Sequence, residues 1–197
     1  MAKRSHYPSY DVMKEQDHWD DHTRSIVAAR LVRERDYRFL TDAEAEVLRA
    51  WCSRLVDDSR GDIIQYVLGH IDETLYGNAG ESQRKPGVPP AGDLIRSGIA
   101  AVNAAALARH AHPFFKLKEE EQEQLMNETS LGIAEPASVW GAVPQRELFL
   151  KLLNMTLEAY FSHPTVWSEI GYGGPAYPRG YIRTQAGHLD PWEAKRE

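Results

Sequence analysis

Phe39-Leu40-Thr41-Asp42-Ala43-Glu44-Ala45-Glu46-Val47-Leu48-Arg49-Ala50-Trp51-Cys52-Ser53-Arg54-Leu55 decides the fold class. Thr41-Asp42-Ala43-Glu44 has the form of a capping box, in which the Thr41 hydroxyl accepts an early helical amide and Glu44 reaches back to the Thr41 amide. Val47, Leu48, Trp51 and Leu55 then recur at helical spacing, and the run stops before Asp57-Asp58-Ser59-Arg60-Gly61. The chain opens its clearest segment with a helix start rather than a strand.

The same signals repeat outward. From about Asp62 to Tyr76, the residues Ile63, Ile64, Val67, Leu68, Ile71 and Leu75 make a wide apolar stripe that Gly77 ends. Residues 80–92, with Lys85-Pro86-Gly87-Val88-Pro89-Pro90, read as an exposed loop. An alanine-rich helix follows from about Asp93 to His110, and its small residues predict close approach by a neighbouring helix. Phe114-Phe115 is placed to plug the core before a short acidic helix from Lys118 to about Asn127. Residues 129–144 read as a second loop. The run from about Pro144 to Phe161 is apolar around so much of its circumference that it is expected to be the most buried helix. Upstream, Asp20 is placed to cap a helix carrying Ile26, Val27 and Leu31.

No strand alternation persists and no internal repeat is visible. The expected fold is all-α, a bundle of five to six helices with an extended, irregular N-terminal arm and C-terminal tail. The expected division is an arm over 1–36, the bundle over 37–164, and an aromatic, Gly/Pro-rich partner-binding tail over 165–197.

Composition narrows function. The 197 residues include 29 acidic and 23 basic side chains, a formal charge of −6, so no global positive field exists to hold nucleic acid. No apolar run reaches the roughly 18 residues that would span a membrane. No apolar segment follows Met1-Ala2-Lys3-Arg4, so the expected compartment is the cytoplasm. The periplasm is the alternative if an export signal was trimmed or is supplied by a partner. Cys52, the single cysteine, reads as a small core thiol.

Catalytic patterns are sparse. His18 and His22 have the spacing of a zinc-binding helical pair, but Trp19 stands where such a motif needs a glutamate. Glu15-Gln16-Asp17-His18 is one Glu-x-x-His, and helical di-metal sites use two. There is no Gly-x-Ser-x-Gly nucleophile elbow. Gly171, Gly173 and Gly174 lack the strand-and-helix setting that cradles a phosphate. The residues therefore give no catalytic, cofactor-binding or metal assignment, and intrinsic catalysis is not expected. An autonomous metal-dependent helical enzyme and a solitary helical binding module remain the alternatives.

The tail is richer. Trp167, Tyr172, Tyr177, Arg179, Tyr181 and Trp192 are spread among glycines and prolines, and aromatics with Arg are the residues that dominate binding hot spots. Two readings are open: the tail folds back onto this chain's own core, or it docks on a partner.

The order of pieces resembles the gluconate 2-dehydrogenase subunit 3 family. The resemblance rests on Phe39-Leu40-Thr41-Asp42-Ala43-Glu44, Ile63-Ile64, Ile71-Asp72 and Gly98 to Ala106. It continues through Pro113-Phe114-Phe115-Lys116-Leu117 with Gln122 and Leu125, and Leu157-Glu158-Ala159-Tyr160-Phe161-Ser162-His163-Pro164, covering about residues 37–182. It implies a small helical subunit that stabilises a glucose-methanol-choline type dehydrogenase oxidising a sugar, sugar acid or glycoside. The large partner would hold FAD, and a cytochrome subunit joins some such complexes. Two features of the family are missing: the Tyr-Gly-Gly-Asn that follows the Phe-Ser-x-Pro turn, and the twin-arginine signal of exported members.

Overall fold

The computed structural model describes residues 5–31, 36–77, 84–183 and 185–197. Among these the chain is all-α, with no strand. It divides into two compact units, one of residues 34–159 and one that joins 1–33 with 160–197.

The 34–159 unit is the helical bundle. Helix α2 (Asp42–Val56) begins at the capping box: Thr41 Oγ1 accepts the Glu44 amide at 3.3 Å and Glu44 accepts the Thr41 amide at 2.8 Å. It buries Val47, Leu48, Trp51 and Cys52, and the Trp51 ring lies 5.6 Å from Phe114 and 6.2 Å from Phe149. Helix α3 (Gly61–Tyr76) buries the whole expected stripe, with Ile63, Ile64, Val67, Leu68 and Ile71 essentially inaccessible. The residues just past its end, 78–83, lie outside the described residues, so the expected 80–92 loop is seen only from Arg84.

Helix α4 (Ala91–His110) meets a neighbour as its small residues predict. A Cβ at Gly98 would collide with the Leu148 side chain of α7 (Gln145–Tyr160), so glycine is what allows these two helices to approach. Asn103, an indifferent helix former, serves the tertiary structure instead, because its Oδ1 accepts the Phe114 amide at 3.1 Å. The buried Gln122 donates to the Phe114 carbonyl at 3.0 Å, so the plug is held from both sides. Phe114 is fully buried, while Phe115 stands at the surface.

Three expectations need correction. The acidic helix does not stop near Asn127; α5 (Glu119–Leu131) continues to Gly132, with Thr129 buried and its hydroxyl donating to the Leu125 carbonyl at 2.7 Å. The 129–144 loop contains a single turn, α6 (Ala137–Trp140), anchored by the buried Trp140. Helix α7 is not the most buried: Leu148 and Leu152 are covered, but Leu150 is 44% exposed. That place belongs to α3, which buries even Tyr66, Gly69 and Asp72.

The second unit is assembled from both ends of the sequence. A 3-10 helix (Val12–His18) starts at Asp11, whose carboxylate accepts the Met13 amide at 3.0 Å. Helix α1 (Asp21–Ala29) starts at Asp20, which accepts the Thr23 amide at 2.7 Å as expected. The tail, expected to be irregular, opens with a further helix, α8 (Pro164–Ile170). Proline at its first position, His163 Nδ1 accepting the Thr165 amide, and Gly171 at φ +75° after its end are its start and stop signals.

Candidate functional site

The end unit closes on Val12, Trp19, Val27 and Trp167, with Tyr10 and Met13 packed against them. Hydrogen bonds join the two ends of the sequence. Ser168 Oγ accepts the Val12 amide at 3.0 Å, Ser5 donates to the Glu169 carbonyl at 2.7 Å, and the Tyr10 hydroxyl donates to the Trp192 carbonyl at 2.8 Å. Burial and the nearby Glu15 carboxylate push the Tyr10 phenol up to about 12, so it remains a donor at any physiological pH.

The six tail residues separate into two groups. Trp167 and Trp192 are each 5% exposed. Trp167 lies under the Arg30 guanidinium at 5.2 Å, and its indole N–H donates to the Phe161 carbonyl. The Arg179 guanidinium lies over the Trp192 ring at 4.8 Å, and the His18 ring lies 5.3 Å from it at a tilt of 51°. Arg179 also donates to the carbonyls of Gly173 and Gly174. Its Nε and Nη1 are buried without a hydrogen-bond partner, and burial pulls its pKa down from the ordinary value. These three side chains hold the tail in place.

Tyr172, Tyr177 and Tyr181 face outward, 43%, 70% and 66% exposed. Ile182, which the hot-spot pattern of aromatics and Arg does not include, is 66% exposed beside them. The backbone at the end of this stretch is held by hydrogen bonds. The buried Asp190 accepts the amides of Ile182 at 3.1 Å and Arg183 at 2.8 Å, and its own amide is bound by Glu193. A signal for Ile182 exists in the sequence: a large aliphatic next to Tyr181 with no periodicity to carry it inward.

The other candidates do less. His18 pairs with Glu15 at 3.5 Å and lies tilted against Trp192, and no group of three or more His, Cys, Asp or Glu gathers to hold a metal among the described residues. Cys52 is fully buried against the Thr156 hydroxyl at 3.3 Å, and burial pushes its thiol up to about 11, which keeps it protonated and inert. Among the described residues no helix is long and apolar enough to cross a membrane.

The profile described as gluconate 2-dehydrogenase subunit 3 matches residues 42–174. The chain belongs to that family. No curated protein and no solved structure matches it. The family is that of one subunit of a dehydrogenase, which implies a multi-subunit dehydrogenase complex. The match begins at the first residue of α2 and ends at Gly174. Tyr172 therefore lies inside it, whereas Tyr177, Arg179, Tyr181 and Trp192 lie beyond it.

Proposed function

We propose that this chain is the non-catalytic small subunit of a FAD-dependent, glucose-methanol-choline type dehydrogenase that oxidises a sugar, sugar acid or glycoside. FAD and the hydride chemistry belong to the large partner, and a cytochrome subunit is a further candidate component. The supporting observation is the subunit family together with the outward side chains Tyr172, Tyr177, Tyr181 and the aliphatic Ile182, with the backbone at 182 and 183 pinned by Asp190. Rigid aromatics whose positions are already fixed lose little entropy on docking, so more of their contact energy is realised as affinity.

The role of this chain is then to bind and stabilise. Arg179, Trp167 and Trp192 shape the tail, and the tyrosines and Ile182 bury themselves against the flavoprotein. Removing the whole tail would be a poor test, because Trp167 and Trp192 are structural. The sharper test is Tyr177→Ser with Tyr181→Ser in a tagged chain purified from its native host. The unaltered chain is expected to bring down a larger companion with flavin absorbance. The double variant is expected to keep its helical circular dichroism and lose that companion by on the order of tenfold or more. Undiminished recovery overturns the role of the tail, and a lone colourless chain overturns the subunit reading.

A further inference from the structure

The N-terminal arm turns its aromatics inward, the opposite way from the tyrosines of the tail. Within the described stretch 5–31 these aromatics are Tyr7, Tyr10 and Trp19; Trp19 is buried and both tyrosines are half-buried. Each meets a different point of the tail. A Cβ at Gly171 would collide with the Tyr7 ring, and one at Gly174 with the Trp19 ring, so the tail is bare where the arm lies closest. The Tyr10 hydroxyl donates to the Trp192 carbonyl at 2.8 Å. Polar contacts extend the seam: Ser5 donates to the Glu169 carbonyl at 2.7 Å, and the Glu197 amide donates to the His6 carbonyl at 2.9 Å.

Through Trp192 the arm reaches the exposed face without covering it. Trp192, whose carbonyl Tyr10 holds, stands two residues after Asp190, and Asp190 accepts the amides of Ile182 and Arg183. Arg179 lies over the Trp192 ring and donates to the carbonyls of Gly173 and Gly174, the second of which packs against Trp19. These two sets of bonds flank Tyr181, which itself stays exposed. We infer that the N-terminal arm is a strap that sets the outward face of the tail from behind. With the arm seated, Tyr177, Tyr181 and Ile182 are held as one docking surface; with it lifted, that surface is lost. The consequence for partner binding rests on the subunit reading above, whereas the coupling of arm to tail is a property of this chain alone. Affinity for the partner is then set in part by residues that never touch it, because a tail that must first be ordered gives up part of its binding free energy.

The test uses the full chain in two variants. Tyr10→Phe keeps the ring and removes the bond to the Trp192 carbonyl, while Val12→Asp puts a charge into the buried cluster of the end unit and is expected to lift the arm. Hydrogen exchange of the amides at 182 and 183 should quicken about fivefold in Tyr10→Phe, the worth of one hydrogen bond, and lose its protection in Val12→Asp, with the amides of α2 to α7 unchanged in both. Recovery of the flavoprotein from the native host should fall in the same order. Unchanged exchange at 182 and 183 in either variant overturns the inference, even where recovery falls, since the arm would then touch the partner directly. If Val12→Asp unfolds the bundle as well, Tyr10→Phe decides alone. Quickened exchange with undiminished recovery overturns the control of docking and leaves the subunit reading standing. An unaltered chain that brings down no flavoprotein overturns the subunit reading instead, and the exchange rates still decide whether the arm sets the tail.

Discussion

The 34–159 unit buries its largest side chains, Trp51, Phe114, Ile63 and Leu68 among them, where long helices meet, and its polar groups serve those helices. The unit built from 1–33 and 160–197 gathers Val12, Trp19, Val27 and Trp167 into a small buried cluster among the described residues. The rest of its order comes from Arg–Trp stacks and from hydrogen bonds between residues some 160 to 180 positions apart. The first kind of construction is redundant at its centre, since α2 packs against α3, α4 and α5. The second depends on a few contacts, any of which unties both ends. It is also the construction that leaves Tyr177 and Tyr181 facing outward, since the buried cluster is closed without them.

If the comparison is right, the largest loss comes from the redundant core. Trp51→Ala should cost about 3–5 kcal/mol of unfolding free energy, measured by urea titration, because it opens a cavity beneath Phe114 and Phe149. Next is Asp72→Ala. Asp72 sits buried on α3 and accepts the amides of Arg38, Phe39 and Leu40 at 2.8–2.9 Å, fixing the approach to the capping box. Removing that carboxylate orphans three amides and should cost about 3 kcal/mol.

Trp167→Ala should behave differently in kind. Limited proteolysis of residues 5–31 and 171–197 should speed up on the order of tenfold, while the urea midpoint moves less than for Trp51→Ala. A single cooperative loss as large as that of Trp51→Ala would break the distinction between the units.

The smallest effect is electrostatic. The Arg109 guanidinium beside Glu128 holds its carboxyl below the ordinary value of 4.5, with Gln124 assisting against desolvation. A lowered carboxylate pKa stabilises the fold above its unfolded value, and this contribution is lost as pH falls through the folded one. Glu128→Gln should therefore flatten the decline of stability below about pH 4.5 and leave the neutral-pH slope unchanged, as followed by thermal melts across pH. An unaltered acid limb would show that this ion pair contributes nothing to stability.

Much of the bundle is legible in the sequence because its determinants are local. Thr41 and Glu44 are three residues apart, the α3 stripe repeats every three to four positions, and Asp20 caps the turn beside it. The elements that depart from expectation depend on neighbours. The apolar girth of α7 does not reveal that Leu150 finds no cover within the bundle unit, nor does Asn103 announce that it serves Phe114. Helix α8 escapes a periodicity reading although His163-Pro164 and Gly171 mark its ends, because a helix of 7 residues is too short for periodicity to register.

The candidate site shows the same boundary. Sequence alone determined an all-α chain with a Trp-, Tyr- and Arg-rich tail that lacks a catalytic signature, since capping, periodicity and composition act within a few residues. Tertiary structure decided which aromatics are spent and which are offered. Trp167 and Trp192 go inward because Arg30, His18, Arg179 and the Tyr10 hydroxyl are brought to them from elsewhere, and Tyr177, Tyr181 and Ile182 stay outside because nothing covers them in this way. The direction of a side chain on an irregular backbone is set by contacts distant in sequence, and no periodic pattern records them.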